Sequence, residues 1–362
     1  MYPLEGIRII DVTNVLSGSF STMIFSDLGA EVIKIEKTID GDPSRYMIPG
    51  LFEAVGRGKQ SVELDLEDEG DKEVLRKLIK ESDVLIEGFR PGVMKKLGFD
   101  KKAVQLLNPS IIYCSISGYG QDGPYRLLPG HDINYLATSG MLSISGNPKG
   151  GPEAAGGIQI ANLASSLYTT ISILAALLQK SKNQDGVYID VSMAESALAL
   201  MIPRIAEYYG REEPSKDDFM GRGAYGTFKT KDSKYIAIAC VEEEFWEKFC
   251  ETVGMKEFLT DGMFNSWAKR MENAEIINDR IASVLAKKTL AEWMTAFANE
   301  DLPISPVNSI NELVNDPQLK YRNSIVKKGE QRIVSYPAKF ENLAIKEDNH
   351  APQLGEHNHL FK

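Results

Sequence analysis

Gly6-Ile-Arg-Ile-Ile-Asp-Val-Thr13 and Ala30-Glu-Val-Ile-Lys-Ile-Glu36, separated by an apolar helical stretch ending at Leu28-Gly29, decide the fold class of this chain. Both runs are short, rich in β-branched residues and bounded by turn residues, which is the pattern of a buried strand. A strand, a turn with Asn14, Ser17 and Gly18, a helix and a second strand make the βαβ unit that opens a parallel α/β sheet. The turn has one glycine, so the GxGxxG dinucleotide fingerprint is missing and no nicotinamide cofactor is inferred. Further strands are expected at 61–66, 83–87, 111–118 and 187–192, with an amphipathic helix over 69–82. Residues 37–60 are turn-rich and lack sustained periodicity, and they read as a long surface loop lining a site, punctuated by Lys37, Arg45, Arg57 and Lys59.

A length of 362 residues suits two domains or one domain with a large insertion. A net charge of −10 argues against broad binding to nucleic acid or anionic membranes, while leaving room for a local basic pocket. Three cysteines without metal-ligand spacing fit a reducing compartment, and no metal site is inferred. No secretory leader is visible at the start, so the chain reads as cytoplasmic. From Ala154 to Gln179 there is no charged residue, yet Gln159, Asn162, Ser165, Ser166, Thr169, Thr170 and Ser172 give this stretch a polar face. A buried helix with one face on a site is expected there, with no membrane insertion. Met193 to Tyr209 reads as one long apolar helix. The charged stretch at 212–218 reads as a linker, followed by two strands and helices near 243–253, 272–287 and 290–299, a smaller α+β domain. The expected division is a large domain over 1–210, a small one over 211–310, and a return to the first over 311–362, with strands in the tail.

Candidate chemistry gathers at Ser117-Gly-Tyr-Gly-Gln-Asp-Gly-Pro124 and Pro129-Gly-His-Asp-Ile-Asn-Tyr135. Three of the four histidines lie in the last thirteen residues, which leaves His131 as the imidazole available to the body of the fold as an acid or base near neutral pH. Glycines at 118, 120, 123, 130 and 140 would let backbone approach a ligand. Asp132 and Asn134 add polar groups before an apolar segment. Arg90, in Gly88-Phe-Arg-Pro-Gly92 after a strand, is placed for a phosphate.

Six segments carry a family resemblance: PLEGIRIIDVT, SDLGAEVIKIE, DVLIEGFRPGVMKKLG, SGYGQDGP, PGHDINY and APQLGEH. In this order and from end to end they resemble the family III coenzyme A transferases and the α-methylacyl-CoA racemases. The transferases usually carry a tyrosine in the loop (PGYD), so PGHDINY resembles the racemases. The resemblance implies a Rossmann-like large domain and a homodimer of interlocked chains. It implies an acyl-CoA thioester as substrate, with coenzyme A entering as part of it and no separate cofactor. It places coenzyme A contacts on Lys37, Leu64, Asp65, Leu66, Gly88, Phe89, Arg90, Lys96, Gly130, Asn134 and Tyr135. It places catalysis on His131 with Asp132 beside it, on an aspartate opening the apolar helix, and on the small-domain glutamate matched by Glu242.

One position departs from the family pattern. Ile160-Ala-Asn-Leu-Ala-Ser-Ser-Leu-Tyr168 puts Asn162 where the aspartate stands, and a neutral carboxamide is neither a base nor a nucleophile at neutral pH. The transferase mechanism, which needs covalent attack from this position, suffers more than racemisation. The expected activity is therefore racemisation of 2-methylacyl-CoA through an enolate. The alternatives are acyl-CoA transfer between carboxylic acids, or a catalytically impaired acyl-CoA-binding homologue or Asp-to-Asn variant.

Overall fold

Six strands, β1 (Arg8–Val12), β2 (Glu31–Glu36), β3 (Gln60–Glu63), β4 (Val84–Glu87), β5 (Ile112–Ser117) and β6 (Val187–Ser192), form a parallel sheet in the order β3-β2-β1-β4-β5-β6. The structure is a computed structural model that describes residues 1–362 except 148–149, 155–156, 184, 212–213, 329–330 and 347–349. Alternate residues of each strand face opposite sides, so the β-branched runs feed two cores at once. Ile10, Val12, Ile33, Ile35, Val62 and Leu85 pack with Leu75, Leu78 and Ile79 of the Glu69–Lys80 helix. Ile9, Val32, Val84, Ile86, Ile112 and Cys114 pack on the other face with Phe25 and with Ile173 and Ala176 of the Ile160–Asn183 helix. This is the parallel α/β sheet expected from the opening βαβ unit, and its order is the Rossmann-like one that the family resemblance implied. The strand order reverses between β1 and β4, and ligands in such sheets gather beyond the carboxyl ends of strands near that reversal.

The chain divides into two compact units. The first comprises Met1–Gly146, Pro152–Glu207 and Asn323–Lys362, and the second comprises Asn147–Gly151 and Tyr208–Arg322. The second holds an antiparallel sheet of β7 (Tyr225–Lys229), β8 (Tyr235–Ala239) and β9 (Ile304–Pro306). Its core is built on Trp246, Phe249, Trp293 and Phe297 from the Glu243–Val253 and Leu290–Phe297 helices, which makes it the smaller α+β unit. The expected linker at 212–218 lies partly outside the described residues.

Three local expectations change. Residues 37–60 contain two short helices, Ser44–Met47 and Leu51–Val55, and their basic residues are consumed by buried carboxylates. Arg45 pairs with Glu36 at 2.7 Å, Arg57 with Asp27 at 2.5 Å and Lys59 with Asp11 at 3.1 Å, so these three cations hold the fold rather than await a ligand. The expected Met193–Tyr209 helix is two helices, Met193–Leu200 and Ile202–Gly210, broken where Pro203 removes a backbone donor. The tail forms a separate hairpin, β10 (Ile325–Lys328) with β11 (Gln331–Val334), and then closes the edge of β3 with side chains. Ser61 N–H donates to His357 Nδ1 at 3.2 Å and Glu63 N–H to Asn358 Oδ1 at 2.9 Å. Among the described residues one helix, Ile160–Asn183, is long and apolar enough to cross a membrane, and it packs in the first unit with Ala161, Ala164, Thr169 and Ile173 buried.

Candidate active site

A cleft of about 510 Å³ opens beyond the carboxyl ends of β4 and β5. Gly88, Phe89, Arg90 and Pro91 follow β4, Ser117 and Gly118 close β5, Met193 follows β6, and Arg126, the Leu128–His131 stretch, Asn134 and Tyr135 supply the far wall. Glycine matters here for packing against a ring. A Cβ on Gly118 or Gly130 would stand 2.6–2.7 Å from Tyr135, whose hydroxyl donates to the Gly130 carbonyl at 2.7 Å. The two glycines thus admit Tyr135, which holds the His131 loop against the sheet, instead of making room for a ligand as their sequence suggested.

His131 is exposed at the start of the Asp132–Thr138 helix and lines the cleft. Its backbone N–H donates to Asn134 Oδ1 at 3.0 Å, so Asn134 spends its side-chain oxygen on fixing the loop. The next residue reaches the other helix. Asp132 Oδ1 accepts from the backbone N–H of Asn162 at 3.0 Å and from its Nδ2 at 3.1 Å. A carboxylate accepts only, so the amide nitrogen of Asn162 must face it and the amide oxygen must face away. There Ser17 Oγ donates to Asn162 Oδ1 at 2.5 Å. Ser17 also lies 3.7 Å from the sulfur of Met193, a cleft-lining side chain. Small side chains allow this approach: Ser166 Oγ donates to the Ser17 carbonyl at 2.6 Å, and the Ser21 and Thr170 hydroxyls share a hydrogen bond of 2.9 Å. Ser166, one of the two serines standing in place of the family glycines, therefore ties the Ile160–Asn183 helix to the turn after β1, while Ser165 bonds back to the Asn162 carbonyl of its own helix.

The structure brings together His131, Asp132 and Asn162, and it lines one cleft with His131, Gly88, Phe89, Arg90, Gly130, Asn134 and Tyr135. The other sequence candidates lie off that cleft. Lys37 and Lys96 are exposed, Leu64 is buried in the sheet core, and Asp65 and Leu66 lead into the Glu69–Lys80 helix. Glu242 is an exposed residue of the second unit at the start of the Glu243–Val253 helix, where Glu243 pairs with buried Arg270 at 2.5 Å and Glu244 with Lys248 at 2.8 Å. Sequence reading passed over Arg126. It lines the cleft, and like Arg90 it has no carboxylate partner among the described residues. The signal available was a basic residue in the Gly-Pro-Tyr-Arg turn of the glycine-rich loop, although Asp122 four positions earlier made a local pair the natural expectation.

Glu87, at the end of β4, is a second residue that sequence reading missed. Burial pushes its carboxyl up to about 7, against the Ser115 hydroxyl and the Phe89 N–H, which donates to Oε2 at 2.8 Å. The folded group keeps its proton to about 7, whereas the unfolded chain releases it near 4.5. Its contribution is therefore complete below 4.5 and is lost as pH rises through 7, a change of about 3 kcal/mol. Glu87→Gln keeps an acceptor for the Phe89 N–H without the charge. It should be more stable than the parent above pH 7, and urea titrations from pH 4 to 8 should show that part of the pH slope removed. Equal slopes in the two chains would show that Glu87 ionises normally.

The sequence profile of CoA-transferase family III matches residues 4–358. The acetyl-CoA:oxalate CoA-transferase of Acetobacter aceti is 32% identical over 369 residues, covering 98% of this chain and 93% of its own. The human alpha-methylacyl-CoA racemase is 33% identical over 360 residues, covering 98% of this chain and 91% of its own. A crystal structure of a CAIB/BAIF family protein from Brucella suis superposes with a TM-score of 0.90 at 27% identity, covering 99% of this chain and 98% of that one. Most of the curated relatives at this level are named as CoA-transferases.

Proposed function

The chain belongs to CoA-transferase family III, and we propose that it moves coenzyme A between carboxylic acids, with the acyl-CoA thioester seated in the cleft beyond β4 and β5. The observation that carries this reading is a pair of guanidiniums, Arg90 and Arg126, lining one cleft with no carboxylate partner among the described residues, in a chain of net charge −10. Guanidiniums left unpaired in an acidic protein suit a ligand that brings its own anionic groups. A coenzyme A thioester and a carboxylate acceptor bring both phosphate and carboxylate. Relatives named for oxalate, glutarate and malate make a short dicarboxylate the acceptor to try first.

Racemisation, the first expectation from PGHDINY, becomes the second reading. What favours it is His131 in the position where transferases usually carry tyrosine, together with 33% identity to the human racemase. One incubation separates the two. A single epimer of a 2-methylacyl-CoA is supplied with isotope-labelled succinate, and both epimerisation and labelled succinyl-CoA are followed. Transfer with retained configuration supports the transferase reading; inversion without transfer replaces it by the racemase one. In the same assay Arg90→Ala should weaken thioester binding about 10- to 100-fold, the worth of one charge-assisted hydrogen-bonding group.

The reading includes a homodimer. The first unit exposes a run of large apolar side chains, Leu167, Tyr168, Ile171, Leu200, Ile202 and Ile205, on its Ile160–Asn183 and Ile202–Gly210 helices and at the end of the Met193–Leu200 helix. Exposed large apolar side chains favour association, and a second copy is the partner the family resemblance implies. Analytical ultracentrifugation at micromolar concentration should find twice the 40.1 kDa chain mass. A stable monomer would remove the dimer from this account.

A further inference from the structure

We propose that Asp132 is the carboxylate that takes the acyl group in this chain, in place of the side chain at position 162. The inference rests on the transferase reading and supplies what that reading lacks, since Asn162 cannot attack a thioester. The Asp132 carboxylate is held where the missing one would begin. Its Oδ1 receives both the backbone N–H and the Nδ2 of Asn162, at 3.0 and 3.1 Å. Asn162 is in turn fixed from behind by Ser17 at 2.5 Å. Three groups thus lock the rotation of one carboxylate and commit one of its oxygens. Oδ2 has no hydrogen-bond partner among the described residues. Asp132 is half-buried and opens the Asp132–Thr138 helix, flanked in the chain by two side chains that line the cleft, His131 and Asn134. An oriented carboxylate with one uncommitted oxygen beside a thioester cleft is the arrangement that nucleophilic attack requires.

The chemistry balances without an oxidant or a net proton. Asp132 Oδ2 bonds to the thioester carbonyl carbon, the C–S bond breaks, and coenzyme A leaves as a thiolate, giving a mixed anhydride. The thiolate then attacks Cγ of Asp132, and the donor acid departs as a carboxylate carrying one former Asp132 oxygen. The acceptor carboxylate attacks the resulting enzyme thioester at Cγ and releases the thiolate again. That thiolate attacks the acceptor carbonyl carbon. New acyl-CoA leaves, and Asp132 is regenerated with one oxygen taken from the acceptor.

The Asp132–Asn162 hydrogen bonds have a purely structural alternative, in which Asp132 only satisfies a free N–H in the first turn of the Ile160–Asn183 helix. The oxygen atoms distinguish them. The full-length protein is incubated with succinyl-CoA and acceptor dicarboxylate labelled with ¹⁸O in its carboxylates, then digested, and the peptide containing Asp132 is sequenced by tandem mass spectrometry. The expected result is ¹⁸O in the Asp132 side chain, with hydroxylamine quenching capturing the same residue as its hydroxamate. Transfer that proceeds with Asp132 free of ¹⁸O, or with label on another carboxylate, overturns the assignment and leaves the transferase reading standing. No transfer and no captured acyl group, with exchange of the α-proton alone, overturns both in favour of racemisation.

Discussion

Asp132→Asn is expected to lower CoA transfer at least about 10²- to 10⁴-fold, the usual worth of one catalytic group, and adding Asn162→Asp is expected to return most of that loss. The reason is that Asp132 and Asn162 are complementary halves of one hydrogen-bonded pair. In the parent chain a carboxylate at 132 accepts from an amide at 162, and Ser17 donates to the amide oxygen. In the exchanged pair Ser17 still finds an acceptor, while the single Asp132 oxygen that met both nitrogens of Asn162 becomes part of an amide, which must turn to set its oxygen on the backbone N–H and its nitrogen on the carboxylate. With that turn the exchange moves the carboxylate and keeps the contact. Asn162→Asp alone is different. It sets two carboxylates about 3 Å apart, where they must share a proton, so activity should fall at neutral pH and recover as pH rises and that proton leaves. Steady-state transfer rates of the three variants from pH 5 to 8 check this pattern. An active Asp132→Asn chain, or an exchanged pair no better than that single variant, would show that the pair does not carry the carboxylate chemistry.

The sheet was legible because parallel strands buried on both faces leave near-continuous β-branched runs; five of the six strands fall within the stretches that their sequences mark, and β3 starts one residue before its own, at Gln60. Residues 37–60 were not, because the partners of their cations lie far off in the chain. Arg57 meets Asp27 and Lys59 meets Asp11, thirty and forty-eight positions away, and no local pattern announces such a pair. The site was half legible for the same reason. His131 and Arg90 stood out by composition and by their place after strands. The bond between Asp132 and Asn162 spans thirty positions and joins two helices, so the sequence showed a missing carboxylate at 162 without showing the one that touches it. Glu87 was hidden because its raised proton affinity comes from burial, which is a property of packing and not of residue type.

Asp11→Asn is expected to cost about 3–5 kcal/mol of stability, the usual penalty for leaving a buried charge without its partner. Asp11 is fully buried at the end of β1, with Lys59 at 3.1 Å and Lys34 at 3.8 Å, and with hydrogen bonds from Thr13 and Thr22. Burial alone would raise its proton affinity, but Lys34 and Lys59 outweigh it and hold the carboxyl well below the usual range. Burial pushes the Lys59 ammonium down to about 8, chiefly against the pull of Asp11, so at neutral pH it stays charged and depends on that carboxylate. Lys34 keeps a second carboxylate, Asp42 at 2.8 Å, whereas Lys59 pairs with no second carboxylate among the described residues and otherwise meets the neutral Thr22 hydroxyl and Ser19 carbonyl. Asp11→Asn combined with Lys59→Met should therefore be more stable than Asp11→Asn alone, because the uncompensated charge goes with its partner. Urea titrations at pH 7 give the comparison, and an Asp11→Asn chain as stable as the parent would rule out a compensating role for the carboxylate. The cluster also bears on the site. Lys34 donates to the Thr13 carbonyl at 2.8 Å and Asp42 accepts from the Val15 N–H at 3.0 Å, where Val15 holds a left-handed φ of 62°. These bonds set the turn that delivers Ser17 to Asn162, so the charges buried under β1 fix the position of the carboxamide at the mouth of the candidate chemistry.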